Sequence, residues 1–246
     1  MKCLILAAGY ATRLYPLTEN FPKPLLEVKG KTILDWLIDD IDTVNMVSEY
    51  VVISNHKFVH HFEKWAAEKK QRITVVDDGT SSNETRLGAV KDIQFAIDKL
   101  RISDDLLVIA GDNLLDFSLT EFIKYAKSKN TSCIMRYYEA NRDKLKKSGV
   151  VSVDENDKVL EMAEKPTEPK SNWCCPPFYY YTKEDAELVE KGIESGCGVD
   201  APGSYIAWLC TQAPVHAMEM PGRRYDIGNL ESYKRVQEEY KEILKR

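Results

Sequence analysis

The sequence predicts an α/β fold built on a doubly wound, mostly parallel (mixed) sheet. Two observations support this class. Short apolar runs alternate with amphipathic stretches over residues 1–130, and the last of these runs is apolar throughout, as is typical of a strand covered on both faces. Strands and helices in series favour parallel pairing, because a parallel connection needs a crossover.

Four apolar runs are predicted to be strands, each followed by a predicted helix: "KCLIL", "YVVIS", "ITVVDD" and "LLVIAGDN". The first helix has Thr32 and Asp35 at capping-box spacing before an apolar stripe of Ile33, Leu34, Leu37, Ile38, Ile41 and Val44. The later helices show the same spacing of three and four residues: Phe58, Phe62 and Trp65, then Val90, Ile93, Ile97 and Leu100, then Phe122 and Tyr125.

After about Thr131 the pattern changes to strands and turns. "GVVSVD" and "VLEMAEKP" flank the polar turn "ENDK" and predict a hairpin, "FYYYT" predicts another strand, and a final helix carries Tyr233, Val236, Tyr240 and Ile243. Because no linker or repeat interrupts the chain, we expect one domain, 1–246, with halves of about 1–130 and 131–246.

Composition excludes several classes of protein. The chain is 43% hydrophobic and 30% charged, which suits a globular fold, and its net charge of -5 argues against a nucleic-acid partner. The apolar run after Met1 is too short for a signal peptide, and no stretch approaches the ~20 apolar residues of a membrane span. We therefore expect a cytoplasmic protein with no membrane partner. No feature predicts an oligomeric state.

The segment after the first strand contains small residues followed by two basic residues. Ala7, Ala8 and Gly9 form a turn that would let backbone N–H groups approach a phosphate, although a tight turn without a ligand would look the same. Arg13 offers a planar fork for phosphate oxygens and Lys23 a point charge. The segment matches neither G-x-G-x-x-G nor the P-loop pattern, which argues against a dehydrogenase and a P-loop enzyme.

The whole segment, "LAAGYATRLYPLTENFPKPLLEV", resembles the signature of the nucleotidyltransferases that make nucleoside diphosphate sugars, the sugar-phosphate nucleotidyltransferase family. That family usually has glycine where this chain has Ala11. "VIAGDNLL", "GVVSVDENDKVLEMAEKPTEPKS" and "RRYDIGNLESY" resemble further family elements in the same order. The resemblance implies a Rossmann-like nucleotidyltransferase fold and transfer of a nucleoside monophosphate from a nucleoside triphosphate, with a pyrimidine base, to a sugar 1-phosphate.

The resemblance also implies residue roles. Arg13 and Lys23 are expected to be catalytic, binding the triphosphate and the attacking sugar phosphate, and the loop with Thr12 is expected to bind the nucleotide. Asp112 and Asp226 are the expected ligands of Mg²⁺, a hard cation that needs only one or two carboxylates beside substrate phosphates. No general base is expected, since a phosphate nucleophile is already deprotonated.

The acceptor and base sites are also implied by the resemblance. Lys165 is expected to bind the sugar 1-phosphate, Glu164 to accept hydrogen bonds from sugar hydroxyls, and the Gly149 backbone to approach the sugar. Gly88, in "DDGTSSNETRLGAV", is expected to lie against the base, although this loop lacks the glutamine-containing pattern of the thymidylyltransferases.

Three alternatives remain open. A cytidylyltransferase for phosphocholine-like acceptors would use aromatic residues around a quaternary ammonium, and the available ones are Trp173, Tyr179, Tyr180, Tyr181 and Trp208. A nucleotide-binding regulator would share the fold without turnover. His56 and His60, four residues apart, could present two metal ligands on one helical face, but no third ligand is evident. The chain ends soon after its last helix, so we expect one activity and no second catalytic domain.

Overall fold

The computed structural model of the protein describes residues 1–241. It divides into two compact units, and each is built from several segments of the chain. The first consists of Lys2–Arg86, Ala110–Glu121 and the segment that begins at Pro221; the second consists of Met1, Leu87–Ile109 and Phe122–Met220. The predicted single domain with a division near residue 130 stays a prediction.

The first unit contains a parallel sheet flanked by helices. Its strands and helices are β1 (Lys2–Leu6), β2 (Glu27–Val28), β3 (Lys31–Thr32), α1 (Ile33–Asp42), β4 (Glu49–Ser54), α2 (Val59–Ala67) and β5 (Ile73–Asp77). β1 pairs with β4, and β4 with β5, both in parallel. The three carboxyl ends therefore lie at one edge, where ligands bind in open α/β sheets.

The second unit carries most of the antiparallel pairing. Its elements are α3 (Ala89–Leu100), β6 (Leu106–Ala110), α4 (Thr120–Lys129), β8 (Ser132–Tyr138), α5 (Arg142–Leu145), β9 (Gly149–Val153), β10 (Val159–Glu164), β11 (Trp173–Cys175), β12 (Phe178–Tyr181), α6 (Lys183–Ala186), α7 (Val189–Glu194), α8 (Gly203–Leu209) and β13 (Val215–Glu219). The strand order is β10-β9-β11-β8-β12-β6, and β13 pairs with β8 in parallel. β9 and β10 form the predicted hairpin.

The remaining elements return to the first unit: β7 (Asn113–Leu115), β14 (Arg224–Asp226) and α9 (Leu230–Glu239). β14 pairs antiparallel with β7 and brings Asp226 opposite Asn113. The Asn229 side chain and the Ser232 hydroxyl cap the start of α9 reciprocally. Of the residues predicted for the last helix, Ile243 lies outside the described residues.

The α/β class with a mixed sheet is confirmed. α1 buries Ile33, Leu34, Leu37, Ile38 and Ile41, as predicted. Thr32 caps its start, because the Thr32 hydroxyl oxygen accepts a hydrogen bond from the Asp35 N–H at 3.0 Å. Val44 lies beyond the end of this helix. None of the helices in residues 1–241 has the length and apolar character needed to cross a bilayer.

Candidate active site

The loop after β1 is held by its neighbours at two points. The Ala7 N–H donates to the Ile53 carbonyl at 2.9 Å, continuing the pairing with β4. The Asn55 side-chain amide donates to the Ala8 carbonyl, also at 2.9 Å. The Ala7 N–H is therefore not available to a phosphate, because it already donates within the sheet.

The next six backbone N–H groups, from Ala8 to Arg13, have no acceptor within residues 1–241. The next N–H with an intrachain acceptor is that of Leu14, which donates to the Ala11 carbonyl. A β-carbon added at Gly9 would meet no protein atom within 4 Å. Backbone N–H groups that have no intrachain acceptor and border open space can donate to an anion.

Ala11 has a left-handed backbone, with φ 47° and ψ 41°. Left-handed conformations are unfavourable for residues with a β-carbon and easy for glycine. The Thr18 hydroxyl donates to the Ala11 carbonyl at 2.8 Å and helps to hold this turn. The conformation explains why glycine would suit this position, although the chain accommodates alanine there.

A pocket opens directly beside this loop, with an empty volume of about 620 Å³. Five predicted site residues line it: Ala7, Gly9, Arg13, Lys23 and Asp112. Ala8 and Thr12 belong to the same loop. The two basic side chains in its lining, Arg13 and Lys23, make it suitable for an anion.

Lys23 and Asp112 form an ion pair in this pocket. The Lys23 Nζ lies 2.7 Å from Asp112 Oδ2, the lysine is buried, and the carboxylate is partly exposed. Burial by itself raises the pKa of Asp112, but Lys23, and then Arg224, outweigh it and hold that pKa below its usual value. The carboxylate is therefore ionised at neutral pH.

Asp226 lies near Arg13, across from Gly228. A β-carbon on Gly228 would lie 3.6 Å from Asp226 Oδ2 and 3.9 Å from Arg13 Nη1, so only a small residue leaves this space open. The neighbouring apolar residues, Leu14 and Ile227, belong to one buried cluster. Arg13 lines the pocket, whereas Asp226 is not one of its lining residues and directly precedes two that are, Ile227 and Gly228.

Two members of the site were missed in the sequence. Gly228 lines the pocket, and the glycine in "YDIG" was the available signal. Arg224 donates to Asn113 Oδ1 at 2.9 Å and lowers the pKa of Asp112. No sequence signal points to Arg224, because its role depends on the pairing of β14 with β7.

A divalent cation fits the carboxylates present. Asp226 is exposed, and its carboxylate has no hydrogen-bond or ion-pair partner among the described residues. Residues 1–241 contain no group of three or more His, Cys, Asp or Glu side chains that could hold a metal ion. Two carboxylates are nevertheless sufficient for Mg²⁺ when phosphate oxygens and water complete its shell.

The predicted acceptor residues come together in the second unit. Gly149 and Glu164 are directly opposite one another in the β9–β10 register. Burial raises the pKa of Glu164, and Lys165 only partly offsets this effect. The exposed Lys165 ammonium lies 3.9 Å from Asp200 Oδ2.

Gly88 directly precedes α3 as its N-cap and has φ 92°, a backbone conformation that favours glycine. A β-carbon there would lie 2.6 Å from the Val199 carbonyl oxygen. The Val90 N–H donates to that same carbonyl at 3.0 Å, and the Ala89 N–H to the Asp200 carbonyl at 3.3 Å. The segment Val199–Asp200 therefore packs closely on the start of α3, which the sequence did not indicate.

The alternatives based on histidine and on aromatic cages find no support in the geometry. His56 precedes α2, and its Nδ1 lies 2.6 Å from Asp77 Oδ2. Tyr179, Tyr180 and Tyr181 are buried in the sheet. The Arg136 guanidinium lies 4.8 Å from the centroid of the Trp173 ring and occupies one face of it.

The carboxyl edge of this α/β sheet carries N–H groups without an acceptor among the described residues, two basic side chains and an acidic one, which are the features of α/β proteins that bind phosphate groups. The chain belongs to the nucleotidyl transferase family, whose family model matches residues 2–243.

Relatives agree with this assignment. The chain is 30% identical over 231 residues to the bifunctional protein GlmU of Methanocaldococcus jannaschii, covering 93% of this chain and 51% of that protein. It is 26% identical to the UTP–glucose-1-phosphate uridylyltransferase AglF of Haloferax volcanii, covering 97% and 98%. The chain thus spans about half the length of several curated relatives that it matches.

Solved structures show the same fold. An apo UDP-glucose pyrophosphorylase superposes with a TM-score of 0.82 at 18% identity, covering 96% of each chain. The enzyme complexed with UDP-glucose gives a TM-score of 0.80 at 20% identity, covering 96% of this chain and 97% of that one.

Proposed function

We propose that this protein transfers a nucleoside monophosphate from a nucleoside triphosphate to a sugar 1-phosphate, giving a nucleoside diphosphate sugar and pyrophosphate. The observation that carries the proposal is the run from Ala8 to Arg13, whose N–H groups have no acceptor within residues 1–241, beside a pocket that is also lined by Lys23. Family membership and relatives that act on sugar phosphates support the same reaction class.

The loop and Arg13 would bind the β- and γ-phosphates. Backbone N–H groups and a guanidinium are strong donors to phosphate oxygens, and both stabilise the negative charge that develops on the leaving pyrophosphate. Arg13 is exposed at the pocket, and Leu14 beside it is buried, so the guanidinium is free to bind while its backbone is anchored.

Lys23 would act at the α-phosphate and the attacking phosphate. Its ammonium is buried and paired with Asp112, so its position is set before substrate arrives. Because an acceptor phosphate is already anionic, the reaction needs neutralisation of charge and in-line positioning rather than proton removal. This requirement fits a pocket in which Lys23 and Arg13 are the basic groups beside the loop.

Asp112 and Asp226 would hold Mg²⁺. When bound, the cation would neutralise triphosphate charge and polarise phosphate oxygens. Asp112 is suited to this role because its pKa lies below the usual value, so the carboxylate is ionised at neutral pH.

Glu164, Lys165 and the Gly149 backbone would bind the acceptor. A carboxylate accepts hydrogen bonds only, so Glu164 suits sugar hydroxyls, and Lys165 suits the 1-phosphate. In the first unit, Ala7, Ala8, Gly9 and Thr12 would contact the phosphates of the nucleotide. In the second unit, the Gly88 backbone is proposed as a base contact. We propose a pyrimidine triphosphate as donor; the uridylyltransferase AglF, matched over nearly the full length of both chains, supports this choice.

The test is pyrophosphate release with Mg²⁺ from UTP, dTTP, CTP, GTP and ATP, each paired with glucose 1-phosphate, other sugar 1-phosphates and phosphocholine. We expect release only when one pyrimidine triphosphate and a sugar 1-phosphate are both present. Release driven by phosphocholine would overturn the acceptor assignment. Binding of a triphosphate without release for any acceptor would favour a regulator.

A further inference from the structure

The Glu164 carboxyl lies against two glycines from different parts of the second unit. A β-carbon on Gly149 would lie 3.0 Å from Glu164 Oε1 and 2.8 Å from the Met162 methyl. This first contact follows from the β9–β10 register, which pairs the two residues. The second glycine, Gly203, comes from a segment nearly forty residues further along the chain.

Gly203 makes the tighter of the two contacts. A β-carbon there would lie 1.9 Å from Glu164 Oε1 and 2.6 Å from the Met162 methyl, well inside the separation at which non-bonded atoms attract one another. Gly203 is buried and begins α8. Its φ does not lie in the left-handed region, so its backbone would accept alanine, and the three atoms nearest to an added β-carbon belong to the Glu164 and Met162 side chains.

A glycine at this position is costly for the helix, since glycine is a poorer helix former than alanine. The two glycines together leave room for one carboxyl group and fix where it lies. Within residues 1–241, no hydrogen bond or ion pair restrains the Glu164 carboxyl. Its position is therefore set by backbone contact rather than by a polar partner, and its acceptor capacity stays free.

We propose that Gly203 is a positioning residue for the acceptor: with Gly149 it holds the Glu164 carboxyl in the orientation that accepts hydrogen bonds from sugar hydroxyls. This inference rests on the proposed function, because it assigns Glu164 to the acceptor. A larger residue at 203 would displace the carboxyl and leave the triphosphate pocket of the first unit unchanged.

The kinetic test is a double-mutant cycle with Gly203→Ala and Glu164→Ala. We expect Gly203→Ala to raise the KM for the sugar 1-phosphate about tenfold, with the KM for the triphosphate changed less than about twofold. In the Glu164→Ala background, Gly203→Ala should have no further effect on that KM. Gly198→Ala is the matched control, since its added β-carbon meets only the Ser204 side chain, at 3.0 and 3.3 Å.

Thermal unfolding of the same four proteins gives a readout that does not depend on turnover. Gly203→Ala should lower the Tm when Glu164 is present and lower it much less when Glu164 is alanine, because the atoms in collision are gone. If Gly203→Ala alone does not fold, recovery of folding in the double variant supports the proposal. Equal losses in both backgrounds, or equal increases in both KM values, would overturn it.

These two readouts separate the two proposals. If the wild-type protein turns over no sugar 1-phosphate, the proposed function fails, and the thermal cycle still reports whether Gly203 positions Glu164. If turnover occurs and the kinetic cycle shows no coupling between residues 203 and 164, the positioning role fails while the proposed function stands.

Discussion

Replacing Ala11 with glycine should stabilise the protein, which is an unusual effect for that substitution. Ala11 has φ 47° and ψ 41°. A left-handed backbone costs an ordinary residue roughly 1–2 kcal/mol, and glycine removes that cost. Glycine also gives the unfolded chain more freedom, which offsets about 0.4–1 kcal/mol of the gain. The net expectation is a stabilisation of about 0.5–1 kcal/mol.

The assay is urea unfolding at equilibrium, in which Ala11→Gly should raise the midpoint without changing the slope. Ala8→Gly is the matched control three residues earlier. Ala8 is buried and its φ is not positive, so glycine there should destabilise the protein by about 0.5–1 kcal/mol. The two substitutions should therefore shift the midpoint in opposite directions.

Equal destabilisation by the two substitutions would refute this reasoning, because it would mean that Ala11 carries no conformational cost. The activity should follow a separate rule. Ala11→Gly keeps the backbone N–H that we assign to phosphate binding, so the KM for the triphosphate should stay within about twofold of the wild-type value.

Three further predictions concern other parts of the site. Lys23→Met should lower kcat about 10²–10³-fold, measured by pyrophosphate release. Lys29→Met is the control, because Lys29 lies on an exposed turn and its loss should leave kcat unchanged. Similar rates for the two variants would show that Lys23 has no part in catalysis. Gly88→Ala should lower the free energy of unfolding, measured in urea, by at least about 1 kcal/mol more than Gly79→Ala does. Both glycines have a positive φ, but only a β-carbon at Gly88 would meet a carbonyl oxygen, at 2.6 Å. Equal losses for the two variants would argue against that contact. Burial raises the pKa of Glu164, so the stability tied to this group is full below its unfolded pKa and is lost as pH rises through its folded pKa. The Tm of Glu164→Gln should therefore exceed that of the wild type most at neutral pH and converge with it in acid; a difference that grows in acid would contradict this sign.

The sheet and the loop behind β1 were predictable because their signals are local. The strands "KCLIL", "YVVIS" and "ITVVDD" are short apolar runs, and the helices between them repeat at three and four residues. The loop could be picked out because its small residues and its charges are close together in the sequence. What the sequence could not show is that the Ala7 N–H donates to β4 and that the run of N–H groups without an acceptor in residues 1–241 begins at Ala8.

The contacts missed in the sequence join distant residues. Gly203 and Glu164 are far apart in the chain, and neither position signals the other until β10 and α8 pack together. Arg224 reaches Asn113 only because β14 pairs with β7. The strands β8, β11 and β13 were missed as well. For β11 the reason is its length, because the three residues Trp173–Cys175 carry too little periodicity to be recognised.

In the proposed reaction the nucleoside monophosphate unit, which contains the α-phosphorus, passes to the sugar 1-phosphate, and the β- and γ-phosphates leave as pyrophosphate. The most direct test follows phosphorus labels from the donor that works best in the pyrophosphate assay. With the label at the α-position we expect it in a nucleoside diphosphate sugar, and with the label at the γ-position we expect it only in pyrophosphate. A γ-label recovered in the sugar product, or an α-label that never leaves the free nucleotide pool, would contradict the account.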